Sequence, residues 1–181
     1  MSANDRKLNM EELGRISPSA YAEHVGRGTV VVLDDVRSRH NVGSIFRTAD
    51  AFGVARMVLC GFTPLPPHRE IEKTALGATE SVPWIHVPTA RDAVEALRAE
   101  GYRILALEQT VLARPLPSFV STGDMPLALV FGNELHGVSD EVVVACDEAL
   151  VIPQVGTKHS LNVAVCAGVA LWWLAGRHTG S

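Results

Sequence analysis

Three polar stretches hold the side chains best equipped for chemistry. Arg37–Arg47 (RSRHNVGSIFR) carries Arg37, Arg39, Asn41 and Arg47. Gly132–Ser139 (GNELHGVS) carries a single acid, Glu134. Pro153–Asn162 (PQVGTKHSLN) carries Gln154, Thr157, Lys158, His159, Ser160 and Asn162. The third stretch runs straight into the apolar segment Leu161–Ala175. A polar loop feeding a buried helix aims the backbone N–H groups of the first turn into a crevice, a seat for a ligand rather than for packing. The plainer reading of the same segment is a C-terminal core helix capped by Ser160 or Asn162.

The elements that must position these stretches alternate. Residues 1–28 read as an N-terminal helical extension, with Ser17-Pro18 as a helix start. Thr29–Leu33 is a β-branched run of buried-strand type. After the loop that follows, Asn41 can cap a helix whose buried stripe is Ile45, Ala49 and Phe52, which leaves Arg47 facing away. Ala55–Cys60 is a second strand, and a helical piece is expected near Glu70–Leu76. Val82–Val87 is a third strand, for which Pro83 suggests an edge or an irregular position. Thr89 and Asp92 form a capping box for a helix from Ala90 to Glu100. Tyr102–Leu107 and Pro126–Phe131 are strands, with Ala113–Ser118 a loop between them. Ser139-Asp140-Glu141 starts another helix, and Ala149–Ile152 is the last strand. Strands alternating with helices predict an α/β fold with a mostly parallel sheet flanked by helices. In such sheets ligands bind beyond the carboxyl ends of the strands, where all three polar stretches fall. The sequence has no G-x-G-x-x-G and no phosphate-loop pattern, which argues against ordinary dinucleotide or nucleoside triphosphate sites.

At 181 residues and 47% hydrophobic, the chain fits one domain with a sizeable core. Cys60, Cys146 and Cys166 are odd in number and far apart, neither a disulfide framework nor a metal spacing. The N-terminus is polar and charged, and the longest apolar run is shorter than the roughly 20 residues of a membrane span. These features point to a cytoplasmic protein with no metal and no membrane partner. The net charge of −4 counts against a generally basic nucleic-acid binder and leaves binding to local patches.

The same three stretches resemble the motifs of the SpoU–TrmH family of RNA ribose 2′-O-methyltransferases. Asn41-Val-Gly-Ser-Ile-Phe-Arg47 is similar to the first motif. Phe131-Gly-Asn-Glu-Leu-His-Gly137 is similar to the second. Ile152-Pro-Gln-Val-Gly156 with Ser160-Leu-Asn162 is similar to the third. The resemblance spans residues 29 to 175, in family order. It implies a SPOUT-type methyltransferase domain over 29–181, with a deep C-terminal trefoil knot. It further implies a homodimer with its active site at the subunit interface, and S-adenosylmethionine as cofactor. The implied acceptor is RNA, tRNA first and rRNA second. A cofactor-binding RNA module without turnover is the alternative, and an unrelated α/β enzyme for small anions is another.

The resemblance assigns the cofactor's adenine to backbone around Gly132, Ile152 and Leu161, with Leu107 adding wall. A glycine at 132 would allow close backbone approach. It assigns catalysis to Arg47, supported by Asn41, Glu134, Ser160 and Asn162. Glu134 would orient Arg47 or Asn41. Two roles are open to Arg47. One is general base, although a guanidinium is protonated at neutral pH and removing a proton of pKa ~13 costs roughly 8 kcal/mol. The other, which we prefer, is a clamp on the phosphate beside the target ribose that also stabilises the developing alkoxide. Arg37, Arg39 and Lys158, with Arg47, His68, Arg69 and Lys73, would make a basic strip for RNA on an acidic protein.

Overall fold

The structure is a computed structural model that describes residues 6–9, 11–14, 16–26, 28–120 and 125–175. The proposed boundary between residues 28 and 29 adjoins Arg27, which lies outside the described residues, as do residues 1–5.

The chain order is α1 (Pro18–Val25), β1 (Val30–Asp34), α2 (Arg39–Ala51), β2 (Arg56–Cys60), α3 (Arg69–Ala75), α4 (Ala78–Ser81), β3 (Trp84–Val87), α5 (Ala90–Ala99), β4 (Arg103–Leu107), β5 (Arg114–Pro115), a 3-10 turn (Leu116–Ser118), β6 (Leu127–Phe131), α6 (Asp140–Ala145), β7 (Glu148–Val151) and α7 (Val163–Ala175). The strands form one sheet in the order β3-β2-β1-β6-β4-β7-β5, and every pairing is parallel. Because the strands are parallel, all their carboxyl ends share one edge.

Burial explains where each strand sits. The central strands β1 (VVVLD) and β6 (LALVF) are buried at every position. They read as continuous apolar runs because helices cover both faces. Side chains alternate between the two layers: Val31 and Leu33 pack with α2 and α7, while Val30 and Val32 pack with α5 and α6. β3, whose sequence contains two exposed positions, lies at the edge expected from Pro83. The segment expected as a loop from Ala113 to Ser118 instead supplies β5, a two-residue edge strand on β7. That strand is held by Arg114, whose guanidinium pairs with Glu148 at 2.8 Å while Arg103 takes the other carboxylate oxygen at 2.9 Å. Two residues carry no periodicity, so the strand had no sequence signal.

α1 is docked by Tyr21, which is buried and lies with its hydroxyl 3.1 Å from the Ala49 carbonyl and 3.0 Å from that of Val54. α2 buries Val42, Gly43, Ile45, Phe46 and Ala49 and leaves Arg47 exposed. Its close approach to α3 requires Gly43, where a Cβ would lie 2.1 Å from Thr74 Oγ1 and 2.3 Å from the Ile71 carbonyl. No helix among the described residues is long and apolar enough to cross a membrane.

Candidate active site

The carboxyl ends of β4, β6 and β7 open into a cavity of about 530 Å³, closed on the far side by the loop that leads into α7. Leu107, Gly132, Glu134, Ile152, Ser160, Leu161 and Asn162 all line it, so seven of the nine cofactor and catalytic candidates face one space. Asn41 does not line the cavity but bonds to two residues that do. Arg47 is the exception. It lies six residues further along α2, about 9 Å along the helix axis at 1.5 Å per residue. There it lines a separate groove of about 760 Å³ between α1, α2 and α4.

Glu134 joins the loops. One carboxylate oxygen accepts from Arg37 N at 3.0 Å, and the other from Ser38 N at 2.9 Å and Asn41 Nδ2 at 3.0 Å. Asn41 Oδ1 in turn accepts from Asn162 Nδ2 at 3.1 Å. Asn162 Oδ1 accepts from Ala164 N at 2.9 Å and so caps α7. The three polar stretches are therefore wired in series. Partial burial pushes the Glu134 carboxyl up, but the N–H groups of Arg37 and Ser38 and the Asn41 amide outweigh it, and its pKa falls below the ordinary glutamate value.

Two details differ from the sequence reading. The cap of α2 is Ser38, whose hydroxyl accepts from Asn41 N at 3.3 Å. Asn41 sits inside the first turn, which frees its side chain for Glu134 and Asn162. Gly132 does line the cavity, but its missing side chain serves the loop itself: a Cβ there would lie 2.0 Å from the Gly137 carbonyl carbon and from Val138 N. Glu134 orients Asn41, and no bond to Arg47 is present among the described contacts.

Several residues of the site were given no role by the sequence reading. Asn133 is buried and braces its hairpin, donating to the Asp35 carbonyl at 2.7 Å and accepting from Leu135 N at 2.8 Å. Glu108 accepts from Val138 N at 2.9 Å and Gln109 N at 2.7 Å. The Gln109 amide donates to the His159 carbonyl across the cavity mouth. Asp34 holds the start of α6 by accepting from Ser139 N and Oγ, both at 2.9 Å. Each lies one to three residues past the end of a strand or at its last position, so proximity to the carboxyl edge was the only available pointer. Cys166 also faces the cavity, and burial together with Glu108 pushes its thiol up to about 11.

The lining decides what the cavity can hold. It has apolar wall from Leu107, Phe131, Ile152 and Leu161, two carboxylates in Glu108 and Glu134, and no Lys or Arg. Such a lining suits a ligand that is flat and apolar at one end and cationic at the other. Among the described residues no group of His, Cys, Asp and Glu could hold a metal ion. Arg37, Arg39 and Lys158 are exposed near the rim, and Arg39 pairs loosely with Glu70 at 3.7 Å.

An all-parallel α/β domain with its cavity at the carboxyl edge, walled by a polar loop entering a C-terminal helix, is the class defined by this geometry. The chain belongs to the SpoU rRNA Methylase family, whose profile matches residues 28–172. It is 34% identical over 147 residues to a member of the TrmH family of tRNA/rRNA methyltransferases in Staphylococcus haemolyticus, covering 81% of this chain and 58% of the relative. The chain thus spans a little over half the length of that relative. Its fold is similar to the AdoMet-bound rRNA methyltransferase of Sinorhizobium meliloti (TM-score 0.77, 31% identity, 85% of this chain and 57% of that one). It is also similar to the A. aeolicus TrmH/SpoU tRNA modifying enzyme (TM-score 0.77, 27% identity, 89% of this chain and 82% of that one).

Proposed function

We propose that this chain is an S-adenosylmethionine-dependent methyltransferase acting on a ribose 2′-hydroxyl of RNA. The observation that carries this reading is one cavity lined by Glu134 of the second motif, by Ser160 and Asn162 of the third and by the apolar wall, with Asn41 of the first motif bonded to Glu134 and Asn162. A cavity with two carboxylates and no Lys or Arg in its lining fits a sulfonium ligand, and the cofactor, when bound, supplies the methyl group. Leu107, Ile152 and Leu161 enclose its flat end and exclude water. Ser160 and Asn162 offer hydrogen bonds to the acceptor ribose or its phosphate. Glu134 and Asn41 position the loops that carry them.

Arg47 completes the reading only through a second copy. α7 is apolar on all sides; Val163, Ala167, Ala170, Leu171 and Leu174 are buried in this domain, and Ala164, Cys166 and Trp173 are partly buried against it. Val165, Val169 and Trp172, on one face at helical spacing, stay 52%, 38% and 61% exposed. A helix apolar all round is normally covered all round. α7 also packs on α2, the helix that bears Arg47. In our reading two copies join along this stripe, and Arg47 of one reaches the cavity of the other to clamp the acceptor phosphate. The knot expected at α7 belongs to the same reading, supported by the packing of α7, which follows β7, against α2. A tRNA acceptor is favoured because the tRNA-modifying structure is matched over 82% of its length, against 57% for the rRNA enzyme.

The test is incubation with labelled S-adenosylmethionine and total RNA, followed by mapping of blocked 2′-hydroxyls. Label in a ribose of tRNA is expected. Label on a base, or none, overturns the reading. Arg47→Lys is expected to lose RNA binding and rate together; retention of rate with a shifted pH profile would support the base role instead. Trp172→Glu is expected to give a monomer in sedimentation and to abolish transfer.

A further inference from the structure

Phe62 stands 80% exposed two residues beyond β2, on a loop that is held still from several sides. Thr63 N donates to the Cys60 carbonyl at 3.1 Å and Gly61 N to that of Val87 at 3.2 Å. The buried Thr63 hydroxyl donates to the Leu33 carbonyl at 3.2 Å. Phe62 N donates to Asp35 Oδ1 at 2.6 Å. Gly61 adopts φ +58°, and a Cβ there would lie 2.3 Å from the same carboxylate oxygen. A lone exposed apolar side chain needs no explanation. A ring presented outward on so fixed a backbone is different, since it gives up little entropy when something stacks on it.

The same contacts tie Phe62 to the cavity. Asp35 holds a left-handed φ of +54°, an unfavourable state for a residue with a side chain. Its carboxylate binds Phe62 N, and its carbonyl accepts from Asn133 Nδ2 in the cavity wall. Register places the two loops level: Asp34 pairs with Cys60, and Leu33 with Phe131. β2 and β6 flank β1, so the loops are roughly 10 Å apart at ~4.8 Å per strand. That span equals about three stacked bases at ~3.4 Å each. The loop after β1, which lies between them, carries exposed Arg37, and exposed Arg39 follows at the start of α2, 3.7 Å from Glu70.

We infer that Phe62 is a stacking platform for an unpaired base of the acceptor RNA, whose sugar-phosphate chain runs from the cavity mouth past Arg37 and Arg39. The inference rests on the RNA-acceptor reading above. An aromatic face beside a line of cations is the arrangement that holds single strands without reading their sequence, because every base has a π-face. Phe62 is thus a positioning residue that sets where along the strand the target ribose falls.

The test compares wild type with Phe62→Ala, Phe62→Leu and Phe62→Trp. Cofactor affinity is measured by calorimetry, and kcat and KM are measured on fractionated tRNA and rRNA. Phe62→Ala and Phe62→Leu are expected to raise KM for the accepted RNA by about 5- to 100-fold at unchanged cofactor affinity, with Phe62→Trp close to wild type. Short oligoadenylate is expected to quench the emission of Phe62→Trp beyond any change in wild type. A Phe62→Leu protein equal to wild type would overturn stacking, as would a loss of cofactor affinity in step with KM. Wild type that methylates no RNA sinks the acceptor reading and the platform with it; normal transfer with an unaltered KM in Phe62→Ala sinks the platform alone.

Discussion

Substituting Gly132 by alanine should be among the most damaging single-methyl additions in the molecule. The hairpin it begins closes on itself, with Asn133 N and the Gly137 carbonyl 2.9 Å apart and Gly137 N and the Asn133 carbonyl 2.9 Å apart. The added Cβ would lie 2.0 Å from two backbone atoms, where ordinary contact starts at 3.4 Å, so about 1.4 Å must be opened. Nothing flexible can yield. The backbone that must move is held by Val138 N on Glu108 Oε2 and by Ser139 N on Asp34 Oδ2, each at 2.9 Å. Overpacking alone costs about 1–3 kcal/mol, and weakening two hydrogen bonds adds about 1 kcal/mol each. Gly132→Ala should therefore destabilise by about 3–5 kcal/mol, a large share of the ~5–15 kcal/mol of a typical domain. Urea unfolding followed by tryptophan emission measures the loss, and calorimetry with S-adenosylmethionine measures the cavity. A variant within about 0.5 kcal/mol of wild type that binds the cofactor normally would refute the reasoning, because substitutions free of steric conflict fall in that range.

Other perturbations follow from the same geometry. Because the Glu134 pKa is lowered in the folded state, its contribution to stability is present above the ordinary glutamate range and is lost as pH falls through the lowered value; Glu134→Gln should flatten acid unfolding curves in that window. The Cys166 thiol, at about 11, holds only about 10⁻⁴ of its population as thiolate at pH 7, so iodoacetamide should modify it roughly a hundredfold more slowly than a free cysteine; bound cofactor should slow it further. Tyr21→Phe removes the hydroxyl that meets the Ala49 and Val54 carbonyls and should cost about 1 kcal/mol in urea, with no change in cofactor affinity.

The sheet was readable because its strands are continuous apolar runs and its turns are marked. Val30–Asp34 and Leu127–Phe131 are buried on both faces and leave no other reading. Thr89 caps α5 as its capping box requires, accepting from Asp92 N at 3.1 Å. β5 was not readable, because its existence depends on Glu148 receiving two arginines from elsewhere in the chain. The site divides in the same way. Glu134 and Asn162 stand out as polar residues in motif loops. The bond between Asn133 and the Asp35 carbonyl does not, because it joins residues about a hundred positions apart and neither residue's type announces the other. Arg47 was legible as an outward-facing helix residue, but that it lines a groove apart from the cavity has no trace in one helix's periodicity.

The wiring of the loops changes what the acid in the second motif is for. A catalytic base or acid needs a free oxygen near the reacting hydroxyl, yet Glu134 already accepts from Arg37 N, Ser38 N and Asn41 Nδ2. Its lowered pKa is the wrong direction for a general acid at neutral pH and leaves it a weak base. Its chemistry is instead the fixed negative end of a chain that runs through Asn41 to Asn162 and the first turn of α7. That chain aligns two helix N-termini, those of α2 and α7, beside one cavity. Their partial positive ends favour a developing oxyanion or a phosphate there, while Glu134 and Glu108 keep the pocket itself hospitable to a cation. For the methyl transfer we propose, this arrangement would put the two charges in different places, the cationic donor by the carboxylates and the developing anion by the helix ends.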